Sequence, residues 1–115
     1  SVIETRYAAP NATIIASGGV WDGLKACKNI ALGADLVGLA KPVLKHVVES
    51  LDKAVKYMEL YIESLKAILF LTGSRNLEEF ARKPVVVLDP IKTYMVQRGI
   101  DPLKYFISIG KERLT

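Results

Sequence analysis

The sequence predicts an α/β fold built on parallel strands, and three observations carry that reading. Two short apolar runs, Thr13-Ile14-Ile15-Ala16 and Leu36-Val37-Gly38-Leu39-Ala40, each end on glycine or proline punctuation. Unbroken hydrophobicity over so few residues suits strands covered on both faces, the habit of parallel sheets. Between the runs lies an amphipathic stretch that opens after Asp22 and stops at Gly33. After the second run, Lys41-Pro42 offers a proline suited to the first turn of a helix. Strand, helix, strand and helix in this order are the grammar of a βαβ unit. Its crossover is right-handed, so both strands open on one rim. Two parallel strands do not complete a sheet, and further strands are expected from elsewhere in the protein or from a partner.

Each element has a local cause. Asp22 can cap a helix beginning near Gly23, with Leu24, Cys27 and Ala31 as a narrow apolar face and Gly33 as a left-handed terminator. From Ser50 the apolar residues Leu51, Ala54, Val55, Met58, Tyr61, Ile62, Leu65, Ile68 and Leu69 recur at helical steps, opposite Asp52, Lys53, Lys56, Glu59, Glu63 and Lys66. That pattern predicts a long amphipathic helix stopped at Thr72-Gly73. Asn76 and Glu79 read as a capping box opening a short helix that Pro84 ends. Val85-Val86-Val87-Leu88 reads as a short strand, and Ile91–Arg98 as a helix halted by Gly99.

The 115 residues, 12.7 kDa, suffice for one domain with a modest core. Lys and Arg exceed Asp and Glu by 16 to 12, thinly spread, which is no nucleic-acid signature. Cys27 is the single cysteine, so no disulfide framework exists within the chain. The most apolar stretch, Ala67–Leu71, is far shorter than the ~20 residues that span a bilayer. The chain opens on Ser1-Val2-Ile3-Glu4 without an initiator Met or a leader, and the expectations are a piece of a longer protein and a cytoplasmic location.

Chemistry is expected at the carboxyl ends of the two strands, where parallel α/β proteins hold ligands. Ser17-Gly18-Gly19-Val20-Trp21-Asp22-Gly23 is a glycine-rich strand-to-helix turn. Glycines admit a close anion, and the helix start beyond offers free N–H groups and a positive dipole end. Gly38-Leu39-Ala40-Lys41-Pro42 repeats the arrangement at the second strand. If the strands are neighbours the turns converge, and a phosphate monoester is their natural occupant. Other residues read more simply. His46, the single histidine, sits on a helix with a surface or helix-end role. Cys27 is a buried thiol, Glu78-Glu79 serve capping, and Tyr57 and Tyr61 are packing or subunit contacts. No second Cys or His stands at zinc-ligand spacing.

Ile15-Ala16-Ser17-Gly18-Gly19-Val20, with Ile30–Ala40, resembles the end of FMN-dependent TIM barrels, a pattern shared by the α-hydroxy acid oxidases. The continuation Phe70-Leu71-Thr72-Gly73-Ser74-Arg75-Asn76-Leu77-Glu78-Glu79-Phe80, with Gln97-Arg98-Gly99-Ile100-Asp101, resembles the carboxy-terminal part of type 2 isopentenyl diphosphate isomerases. The resemblance implies the last two βα units of a TIM (β/α)8 barrel plus a helical tail. Residues 1–50 would form the phosphate-binding units, and 51–115 the outer helix and tail, all of one domain. It implies isomerisation of isopentenyl to dimethylallyl diphosphate with reduced FMN as acid–base agent, Mg2+, and NADPH as reductant, in a cytoplasmic homo-oligomer. It also implies that the FMN phosphate rests on Gly18, Gly19, Val20, Trp21, Ala40 and Lys41, largely through backbone N–H groups. Relatives often carry Arg at the position of Trp21 and Leu at that of Lys41. The loss of a guanidinium contact at the first could be offset by the ammonium at the second. The family's metal and substrate residues belong to earlier parts of the barrel, so no catalytic or metal-binding residue is assigned here. Rival readings are an FMN-dependent 2-hydroxy acid oxidase or dehydrogenase, which needs an active-site His and Arg pair that this segment lacks, and a non-catalytic phosphate-binding or oligomerisation module.

Overall fold

A computed structural model describes residues 1–111 of the chain; residues 112–115, the end of the expected tail, lie outside the described residues. Helix α1 (Val2–Ala8) precedes strand β1 (Ile15–Ser17), helix α2 (Gly23–Ala31), strand β2 (Leu36–Gly38) and helix α3 (Lys41–Glu49). Four more helices follow: α4 (Leu51–Leu71), α5 (Leu77–Arg82), α6 (Ile91–Gln97) and α7 (Pro102–Ser108). The strands pair in parallel, with Ile15 opposite Leu36, Ala16 opposite Val37 and Ser17 opposite Gly38. The architecture is mixed α/β, rich in helix, around a small parallel sheet.

Local chemistry sets the helix limits. The Asp22 carboxylate accepts from the Lys25 N–H at 2.8 Å and starts α2. At the other end Gly33, at φ +120°, lets its own N–H reach the Ile30 carbonyl and the Ala34 N–H reach that of Asn29. These are the paired bonds of a Schellman turn. Ser50 closes α3 through its N–H and opens α4 through its hydroxyl, which accepts from Lys53 N–H at 3.1 Å. The sequence pattern marks this change at Ser50, and α4 stops beside Thr72-Gly73 as expected. Helix α1, opened by Ser1, is an addition to what the pattern shows.

The core lies in the layer between sheet and helices. Ala16 is buried, and its partner Val37 packs with Val20, Ala26, Tyr61, Cys27 and Phe80 beneath α2, α4 and α5. A second cluster, Ile3, Met95, Ile100, Tyr105 and Phe106, joins α1 to the carboxy-terminal helices.

Six expectations need correction. The strands are covered on one face, not both: Ile15 and Leu36, side by side in register, are 60% and 56% exposed. The second strand ends at Gly38, which frees Leu39 and Ala40 for the connection to α3. On α2 the buried face is Gly23, Ala26, Cys27 and Ile30, and Leu24 is turned to solvent, because α4 packs against the Gly23 side. On α4 only Ala54 and Tyr61 are buried, and Leu51, Val55 and Ile62 stay exposed. A fifth concerns Val85–Leu88, which is no strand: Val85 and Val87 turn to the core and Val86 and Leu88 outward, but no described strand pairs with them. The capping box is also displaced. Asn76 Oδ1 accepts from Glu79 N–H at 2.9 Å, whereas the Glu79 carboxylate reaches back to Arg75, not to Asn76.

Candidate functional site

The carboxyl ends of β1 and β2 leave the sheet together because Ser17 and Gly38 are register partners, and the Ser17 hydroxyl donates to the Gly38 carbonyl at 3.3 Å. The fit is close, since a Cβ on Gly38 would lie 3.2 Å from Ser17 Oγ and the serine would have to give way slightly. Beyond β1, Gly18 and Gly19 take φ +86° and +74°, a region costly for residues with a Cβ. No atom stands within 4 Å of where a Cβ on either would be, so the turn's outer side is open. Val20 is buried against Ala26 and Tyr61 and anchors the turn from below. Trp21 is half-buried, and Asp22 begins α2.

Beyond β2, Ala40 precedes α3 without a side-chain cap, and Pro42 occupies its first turn. Ala40 and Lys41 are exposed, and no described carboxylate pairs with the Lys41 ammonium. Among the described residues, nothing accepts from the backbone N–H groups of Gly18, Gly19, Val20 or Trp21, nor from those of Ala40 and Lys41. All six residues singled out in the sequence thus stand on neighbouring connections of one rim.

The turn has a support that sequence reasoning missed. The Tyr57 hydroxyl, on α4, donates to the Trp21 carbonyl, and the Tyr57 ring stacks on His46 with centroids 4.4 Å apart and planes at 15°. Burial, with the nearby Asp22 carboxylate, raises the Tyr57 phenol above its ordinary range and keeps it a donor at neutral pH. No local pattern announces a contact between residues 21 and 57; only the packing of α4 over the turn creates it. Cys27 is buried with its thiol pushed up by desolvation, an inert packing residue. Among the described residues no three His, Cys, Asp or Glu side chains gather as metal ligands. No described helix is long and apolar enough to cross a membrane.

Fold and rim together define a parallel α/β protein whose glycine-rich strand-to-helix connections sit side by side at the carboxyl edge of its sheet. The chain belongs to the FMN-dependent dehydrogenase family, whose model matches residues 2–87. It is 40% identical over 111 residues to the isopentenyl-diphosphate delta-isomerase of Metallosphaera sedula, covering 96% of this chain and 30% of that protein. The isopentenyl-diphosphate delta-isomerase of Ignicoccus hospitalis is 48% identical over 100 residues, 87% of this chain and 28% of its own. That of Sulfurisphaera tokodaii is 38% identical over 114 residues, 99% of this chain and 31% of its own. The chain therefore spans less than a third of the length of these curated relatives.

Proposed function

We propose that this chain is the carboxy-terminal part of a (β/α)8 barrel that converts isopentenyl diphosphate to dimethylallyl diphosphate, and that its rim holds the phosphate of FMN. The likeness to three isopentenyl-diphosphate delta-isomerases over nearly the whole chain supports the activity. The observation that supports the phosphate role is the pair of adjoining connections with open glycines and unpartnered N–H groups. An anion is favoured there because two helix starts and the Lys41 ammonium present positive charge to one place. Gly18 and Gly19 allow the close approach, Val20 and Trp21 extend the row of donors, and Ala40 and Lys41 close it from α3.

When bound, reduced FMN supplies the proton-transfer chemistry of the isomerisation, and the protein's task in this segment is to fix the cofactor's position. Mg2+ would be held by residues of the preceding barrel strands, and NADPH would reduce the flavin. The complete enzyme is proposed as a cytoplasmic homo-oligomer. A 2-hydroxy acid dehydrogenase is also compatible with the family, but it needs an active-site His and Arg pair, and His46, the single histidine here, is bonded to the Pro42 carbonyl and stacked on Tyr57.

Turnover by the complete protein decides between them. The expected result is a yellow preparation that isomerises isopentenyl diphosphate only when its flavin is reduced. Oxidation of a 2-hydroxy acid with no isomerisation, or a complete protein that binds no flavin, overturns the proposal.

A further inference from the structure

A chain of contacts runs from one connection of the rim to the other through the helix layer. His46 Nδ1 lies 2.7 Å from the Pro42 carbonyl in the first turn of α3. A carbonyl only accepts, so Nδ1 carries the proton and the ring is held in one orientation. That ring stacks on Tyr57, whose hydroxyl donates to the Trp21 carbonyl in the glycine-rich connection. In a trans peptide the carbonyl and the following N–H point in opposite directions. With the Trp21 carbonyl drawn toward Tyr57 on α4, the Asp22 N–H points the opposite way, away from α4. Asp22 itself is extended, at φ −145° and ψ 170°, so its N–H precedes the helix and is not among the bonded donors.

We propose that Tyr57, oriented by His46, is a positioning residue for the phosphate site: it fixes the Trp21–Asp22 peptide so that this N–H joins the donors facing the anion. The inference deepens the phosphate reading given above and rests on it. It assigns a role to side chains that never touch the ligand. The neighbouring charges do not compete for the contact. Lys45 and Glu49 flank His46 on α3, with Glu49 bonded to Lys53 at 2.9 Å, and Asp22 is occupied with the Lys25 N–H. Tyr61, the next ring along α4, lies tilted at 59° to Tyr57 with centroids 6.1 Å apart, so the stack stops at Tyr57.

The test compares FMN with riboflavin, which lacks the phosphate, in the complete protein and in Tyr57→Phe. The variant keeps the ring on His46 and removes only the hydroxyl. Its FMN affinity is expected to fall by about threefold to tenfold, the range of one hydrogen bond, with riboflavin affinity unchanged. His46→Phe, which keeps a ring against Tyr57 but loses the bond to Pro42, is expected to give a smaller loss of the same phosphate-specific kind. Equal losses for both flavins would mark a merely structural role and overturn the inference. So would an unchanged preference for FMN in both variants. If the unaltered protein itself does not prefer FMN to riboflavin, the phosphate reading fails and this inference with it. A preference that survives in the parent and resists Tyr57→Phe overturns this inference alone.

Discussion

The Asp35 carboxylate accepts from the Ile14 N–H at 2.9 Å and from the Arg6 guanidinium at 2.6 Å. Arg6 also donates to the carbonyls of Gly33, Pro10 and Ala12, so two side chains tie α1, the approach to β1 and the start of β2. The Ile14 N–H, and after it Arg6, hold the Asp35 carboxyl below the usual carboxylate range. A folded-state pKa below the unfolded value means that the stabilisation is present above about pH 4 and is lost as pH falls through the folded value. Asp35→Asn is expected to cost about 1 kcal/mol in urea unfolding of the complete protein at neutral pH. The difference from the parent should shrink as the solution is acidified through the carboxylate range, and a difference independent of pH would contradict this assignment. Nothing in the sequence marks Arg6 and Asp35 as partners, because their contact depends on α1, an element without a distinct pattern. The candidate site residues were legible at this scale: glycines with open backbone at a strand end follow from Ser17-Gly18-Gly19 directly, and both take positive φ.

At the scale of elements, what depends on neighbours in the chain was readable and what depends on distant neighbours was not. The caps at Asp22 and Asn76 and the terminators at Gly33, Gly73 and Gly99 act within one turn, and each stands where the residues place it. Val85–Leu88 alternates like a strand but finds no partner among the described residues, and pairing is a property no single segment contains. The buried face of α2 is set by its contact with α4. There Gly23 lies so close that a Cβ would meet Ser64 Oγ at 2.1 Å and the backbone N of Leu65 at 2.9 Å. A side-chain oxygen could turn aside, but the backbone of α4 cannot, so the helices must part. Gly23→Ala is expected to destabilise the complete protein by about 1–3 kcal/mol, the range of overpacked sites, read as a lowered midpoint in thermal unfolding. An unchanged midpoint would show that α2 and α4 do not pack this closely.

For the molecule as a whole, the exposed surfaces are as informative as the buried ones. Ile15 and Leu36 form a bare apolar pair on the sheet face away from the helices, and among the described residues each strand has an unpaired edge. Parallel sheets are covered on both faces, and unpaired edges recruit other strands. The βαβ order, with only two parallel strands, shows that the sheet wants further strands, but not how much of its face stays open. Expressed alone, this segment is expected to associate or precipitate; a monodisperse folded monomer in light scattering would contradict that. Whether the two connections at the sheet rim hold a flavin phosphate is decided by titration of the complete protein bearing Gly18→Ala and Gly19→Ala. Both positions need a left-handed backbone, and forcing a Cβ there costs about 1–2 kcal/mol at each residue or moves the turn. The expected result is a loss of FMN affinity of about tenfold or more with riboflavin affinity unchanged. Full retention of FMN affinity in the doubly substituted protein would contradict that role.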